Sequence, residues 1–140
     1  FRSLLKNYRC LVPASGFYEW KREGQRKVPY YLRIRKSRYC AFAGLYDIWR
    51  DPQGLDHATY TIITTGANEI VAPIHDRMPA ILKEEDEGTW LSGSLLAAAD
   101  LHGMLTPYPA GNMEAYPVEG RVNNPAVDEE ILIRPRTTFT

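Results

Sequence analysis

From Arg9 to Thr65 the chain is a run of short strand-like segments cut at close intervals by proline, glycine or polar turns, which commits the first half to β-structure. Arg9 to Trp20 reads as two apolar strands broken at Pro13-Ala14-Ser15-Gly16, where proline and glycine supply the fixed and the permissive backbone of a turn. Lys21 to Lys27 reads as a polar hairpin loop around Gly24. From Val28 to Arg35 the residues alternate, with Tyr30, Leu32 and Ile34 on one face and Tyr31, Arg33 and Arg35 on the other, the period of a half-buried strand. Its outer face is expected to be aromatic and basic. Tyr39 to Tyr46 and Thr59 to Thr65 repeat strand composition, with Arg50 to Ala58 as the loop between them.

The second half changes character. Glu84 to Leu91 and Ser94 to Leu105 are predicted as short helices, the first opening on four acids where a helix dipole favours negative charge. Consecutive carboxylates point around a helix, so the run is read as solvated charge and no metal is assigned to it. Tyr116 to Val122 and Ile131 to Ile133 are expected as closing strands, with Asn123-Asn124-Pro125 as a turn. The 140 residues, 44% apolar and without repeat or low-complexity run, suit one mixed α+β domain over residues 1–140.

Charge and cysteine usage narrow the function classes. Residues 1–38 carry eleven Lys/Arg against Glu19 and Glu23, a balance of +9 that the rest of the chain offsets with −9. Two readings stay open: cancellation between packed faces, or a polyanion-binding face. Cys10 and Cys40 sit among apolar neighbours, which suits unbridged thiols in a reducing cytoplasm. The uncharged stretch Thr89 to Ala99 is far short of the ~20 residues that span a bilayer. The chain begins on Phe1 with no signal-peptide pattern, so it is expected to start inside a longer protein.

Two places hold polar groups that are costly to bury idly. In Ala72-Pro73-Ile74-His75-Asp76-Arg77-Met78-Pro79, an extended backbone would send His75 and Arg77 to one side and Asp76 to the other, placing a proton shuttle beside an anion clamp. The alternative is a surface loop with a structural salt bridge. Glu19, within Gly16-Phe17-Tyr18-Glu19-Trp20, lies in an aromatic strand where carboxylates are disfavoured. It serves either as a general acid or base, or as a partner of Lys21 or Arg22. Trp20 reads as a core residue or a base-stacking platform. Thr64 and Asn68 are polar positions before the His75 segment that mean little by themselves.

Taken together, Arg9 to Trp20, Phe42-Ala43-Gly44-Leu45-Tyr46, Tyr60 to Thr65 with Ala67-Asn68, and Ile74-His75-Asp76-Arg77-Met78-Pro79 resemble the SRAP family, the SOS response-associated peptidases or abasic-site processing proteins. The resemblance runs over nearly the whole chain and takes in Trp90-Leu91, Tyr116-Pro117-Val118 and Val122-Asn123-Asn124. It implies a mixed α/β domain with a bifurcated, mostly antiparallel sheet curled into a pseudo-barrel, a few short flanking helices, and a basic groove for single-stranded DNA carrying abasic sites. It implies further that an N-terminal cysteine, exposed by autocatalytic removal of methionine, forms a thiazolidine crosslink with the ring-opened sugar. Carried over by position, Glu19 and His75 take the catalytic places, Arg77 that of a phosphate ligand, and Trp20 and Thr64 those of groove residues near the lesion. No metal or organic cofactor and no membrane partner are expected, and a monomer is expected of the complete protein. Cys10 and Cys40 are internal and lack the α-amine that a thiazolidine needs, the family's Asn-Ala-Arg motif is absent, and Glu119 stands where the family has Ser. The chain is thus expected to be either a fragment of such a protein or a truncated homologue without covalent chemistry. A noncovalent single-stranded nucleic-acid module, read from Tyr31, Arg33 and Arg35, and a peptidase acting on other proteins are the competing functions.

Overall fold

The computed structural model describes residues 4–136. A one-turn helix α1 (Leu4–Asn7) leads into β1 (Arg9–Ala14), β2 (Phe17–Glu23), β3 (Arg26–Ile34), β4 (Cys40–Arg50) and β5 (Asp56–Ile62). Then come β6 (Thr64–Gly66), β7 (Arg77–Pro79), β8 (Ile81–Leu82), α2 (Glu84–Leu91), α3 (Ala98–Met104) and β9 (Met113–Pro117). All pairings are antiparallel: β1-β4-β5 with β8 also on β4, β2-β3-β9, and the ribbon β6-β7. The architecture is therefore mixed α+β with short helices, as expected, and among the described residues its strands do not close into a barrel.

The core forms on both sides of β4, whose residues Ala41 to Leu45 are all buried. Alternation sends Phe42 into a cluster with Leu32, Ile34, Val71, Met78, Ile81 and Met113, while Ala43 and Leu45 join Ala80, Leu82 and Trp90. Trp90 is fully buried and its indole N–H donates to the Cys10 carbonyl at 2.9 Å, pinning α2 to β1.

Several sequence-level boundaries are corrected. The hairpin between β2 and β3 is only Gly24-Gln25, because Gly24 adopts a φ of +62° that lets the strands pair up to Glu23 opposite Arg26. The helix expected from Ser94 starts at Ala98, since the Ser94 carbonyl is taken by the Arg9 guanidinium at 2.9 Å. The strand expected over Tyr116 to Val122 is instead β9, displaced toward the N-terminus and followed by a 3₁₀ turn at Gly120–Asn123. Ile131 to Ile133 is no strand but part of the 3₁₀ turn Glu130–Ile133. That turn lies over the β2-β3-β9 sheet, where Tyr18 and Tyr116 donate their hydroxyls to the carbonyls of Leu132 (3.2 Å) and Ile133 (2.8 Å).

This cover overturns the exposed aromatic face expected of β3. Tyr18, Tyr31 and Tyr116 are in register across the three strands with ring centroids 5.3 and 5.9 Å apart, and Tyr31 is 3% exposed. The tyrosine row is a small second core, not a stacking platform. Arg33 on the same face is held by Glu114 at 2.6 Å, so part of the N-terminal positive charge is cancelled by the acidic half, and Arg9 is buried altogether.

The chain passes from one sheet to the other at Ser15-Gly16, and the crossing requires glycine. A Cβ at Gly16 would stand 2.5 Å from the Leu32 carbonyl and 2.6 Å from the Tyr31 ring. Gly16→Ala is expected to destabilise the protein by about 2–3 kcal/mol, the cost of overpacking a filled site. A urea midpoint within error of wild type would show that β2 shifts without penalty.

Candidate active site

Glu19 lies in the middle of the edge strand β2, opposite Tyr30 of β3. It is half-buried, on the strand face that carries Phe17 into the core. The ion pair to Lys21 that the sequence allowed does not form: Lys21 turns to Glu23 at 3.4 Å and lies 5.9 Å from the Tyr30 ring centre. Among the described residues no hydrogen bond or ion pair engages the Glu19 carboxylate. It opens instead into a cleft of about 460 Å³ lined by Glu19, Trp20, Lys27, His75 and Asn123.

His75 reaches the cleft from the segment between β6 and β7. Asn68 organises that segment: its Oδ1 accepts the N–H groups of Ile70 and Val71, both at 3.1 Å, and its Nδ2 donates to the Tyr108 carbonyl at 2.6 Å. Val71, fully buried, anchors the turn, and its carbonyl accepts the N–H groups of Ile74 (2.7 Å) and His75 (2.9 Å). His75 therefore ends a wound turn rather than sitting in an extended strand, and the alternation expected of His75, Asp76 and Arg77 fails. Asp76 stays beside His75, its Oδ1 3.3 Å from Nδ1. Nδ1 also lies 3.1 Å from both the N–H and the carbonyl of Arg77. Nε2 has no partner among the described residues and is the nitrogen left to serve the cleft.

Arg77 and Thr64 are brought together, but beside the cleft. The Arg77 guanidinium donates to the Thr64 carbonyl at 2.6 Å and to its Oγ1 at 3.0 and 3.3 Å, across the β6-β7 pairing. Both side chains are exposed, so the bound guanidinium keeps a face toward solvent with its direction fixed. Trp20 is fixed by its indole N–H, which donates to Asn123 Oδ1 at 2.8 Å. It forms a wall of the cleft rather than core.

Lys27, Asn68 and Asn123 were not singled out for the site by sequence reasoning. Asn68 carries one weak signal, a side-chain amide of the kind that caps turns, followed by the charged Glu69. Asn123 is marked in the sequence only as a turn residue and as part of the resemblance, and Lys27 carries no signal, because their roles depend on what packs beside them.

Neither internal thiol is suited to attack. Burial pushes the Cys40 thiol up to about 11 and raises that of half-buried Cys10, so both stay protonated at neutral pH. No group of three His, Cys, Asp or Glu that could hold a metal occurs among the described residues, nor a helix long and apolar enough to cross a membrane.

A family model described as SOS response associated peptidase (SRAP) matches residues 1–125. The chain is 45% identical over 134 residues to the abasic site processing protein YoqW of Bacillus subtilis, covering 95% of this chain and 60% of that protein. It is 36% identical to the abasic site processing protein HMCES of Xenopus tropicalis, over 87% of this chain and 42% of that protein. The chain thus spans between two fifths and three fifths of the length of these relatives. A solved protein from Bacteroides thetaiotaomicron superposes with a TM-score of 0.92 at 34% identity, over 98% of this chain and 60% of that one. A second, from Bordetella bronchiseptica, gives 0.75 at 28% identity, over 85% of this chain and 59% of that one.

Proposed function

The chain belongs to the SRAP family, and on that premise we propose that it carries the acid–base and DNA-holding part of an abasic-site processing protein acting on single-stranded DNA. One observation carries the reading: Glu19 and His75, remote in sequence, line one cleft with no competing ion pair on the carboxylate among the described residues. A carboxylate and an imidazole facing one space are the equipment that imine chemistry at a sugar aldehyde needs.

The step runs as follows. An amine attacks C1′ of the ring-opened deoxyribose, and a base takes the ammonium proton as the carbinolamine forms. An acid then protonates the departing hydroxyl, which leaves as water and gives the imine. A thiol adds to the imine carbon, its proton passes to the nitrogen, and the thiazolidine results with no net redox change. Glu19 and His75 Nε2 supply the proton transfers, Lys27 and Arg77 attract the phosphodiester, and Trp20 walls the lesion. The amine and thiol belong together on an N-terminal cysteine outside these 140 residues, since Cys10 and Cys40 have no α-amine and hold their protons.

The test is a denaturing gel of the full-length gene product, and of residues 1–140 alone, incubated with single-stranded DNA carrying one abasic site. A shifted band from a full-length product that carries the N-terminal cysteine, and none from residues 1–140, is the expected result. No shift from such a product overturns the covalent reading.

A further inference from the structure

A second cleft, of about 480 Å³, opens where β3 turns into β4 and is lined by Arg33, Arg35, Lys36, Arg38, Tyr39 and Ser15 among others. It is distinct from the Glu19 cleft. Tyr30, opposite Glu19, and Ile34, between two of the lining arginines, are four residues apart on β3, roughly 13 Å at about 3.3 Å per residue.

The cations in this cleft are not equivalent. Arg33 is committed to Glu114 at 2.6 Å, and Arg35 donates its Nε to the Met113 carbonyl at 2.8 Å with Nη1 3.6 Å from the same carboxylate. Glu114 therefore positions two guanidinium groups with one negative charge. Lys36 and Arg38 have no acidic partner among the described residues. The turn that carries them is shaped by Ser37, whose Oγ donates to the Tyr39 carbonyl at 2.6 Å and accepts the Tyr39 N–H at 3.3 Å. Tyr39 is 59% exposed, with the Arg38 guanidinium 5.5 Å from its ring centre.

Four cations against one carboxylate, beside an aromatic ring open to solvent, match a phosphodiester strand with an unstacked base better than a free anion, which has no use for the ring. We propose that this cleft is a second contact for single-stranded nucleic acid, with phosphate held by Lys36 and Arg38 and one base stacked on Tyr39. The choice of nucleic acid rests on the DNA reading above, but the contact needs no lesion.

The proposal is tested on the full-length gene product by fluorescence anisotropy with a labelled, undamaged single-stranded oligodeoxynucleotide at several salt concentrations. The double variant Lys36→Ala/Arg38→Ala is expected to bind at least tenfold more weakly and to reduce the slope of log K against log salt by about 1.4, two phosphates at ~0.7 each. The control Lys6→Ala/Lys83→Ala removes the same charge from exposed positions elsewhere and should move neither quantity as far. Tyr39→Ala is expected to weaken binding at least fivefold and Tyr39→Phe to leave it unchanged, as stacking requires. Lys36→Arg/Arg38→Lys, which keeps both charges, should bind like wild type. Affinity and slope of the double variant equal to those of the control would overturn the proposal, as would a wild-type protein that does not bind the undamaged strand. Crosslinking to abasic DNA, measured in parallel, tests the Glu19 cleft separately and can survive either failure.

Discussion

Glu19→Gln in the full-length gene product is expected to slow adduct formation with abasic single-stranded DNA by about 10²–10⁴-fold, the usual worth of a positioned acid or base. The substitution keeps the side chain's length and an oxygen acceptor but removes the group that exchanges a proton. Because the carboxylate makes no ion pair among the described residues, stability should move by no more than about 0.5 kcal/mol. His75→Ala is expected to cost a similar factor, and the double variant less than the product of the two, since groups serving the same transfers are not additive. Single-turnover rates read from denaturing gels, with urea midpoints alongside, decide the matter. A Glu19→Gln protein that reacts at the wild-type rate across pH would remove the acid–base role.

Arg9→Ala is expected to destabilise the fold by about 3–5 kcal/mol, a large share of the stability of a domain of this size. Arg9 is 7% exposed and has no carboxylate partner among the described residues. Its guanidinium instead donates to four carbonyls: Nε to Trp90 (2.6 Å), Nη1 to Leu5 (2.6 Å) and Lys6 (3.0 Å), and Nη2 to Ser94 (2.9 Å). Trp90 is in the last turn of α2 and Leu5 and Lys6 in α1, so the negative ends of two helices do the work of a counter-ion. The guanidinium also lies 5.7 Å from the Trp90 ring centre. Removing it leaves several carbonyls unsatisfied, each worth about 1–3 kcal/mol. Arg9→Lys should restore less than half of the loss, because a compact ammonium cannot span the fork's directions. Urea unfolding with an unchanged m-value is the measurement, and an Arg9→Lys protein as stable as wild type would show that the fork geometry is not needed.

Arg9 also illustrates where a charge count misleads. In sequence it adds to a basic N-terminal portion; in the fold it is the most enclosed cation described, and Arg33 is neutralised by Glu114. Lys36 and Arg38 are among the cations that reach solvent without an acidic partner among the described residues, and no pattern in the sequence separates them from the other basic residues. Tyr31 misled in the opposite direction. Period-two alternation placed it on the outer face of β3, where it is, but gave no sign that the turn Glu130–Ile133 covers that face.

Local pattern determined that strands fill the chain up to Thr65, and it determined the helix Glu84–Leu91 and the two segments that supply Glu19 and His75, because alternation, turn residues and costly polar groups in apolar surroundings act over a few residues. It misplaced the loop expected over Arg50 to Ala58, where β4 runs on to Arg50 and β5 starts at Asp56 through cross-strand pairing. Only the tertiary structure decided that those two side chains share a cleft with Lys27 and Asn123, that Asn68 winds the turn presenting His75, and that Arg77 rests on Thr64. Each of these depends on contacts between segments far apart in the chain, whose closure is set by the packing of the sheets around β4 and not by any preference that the residues carry themselves.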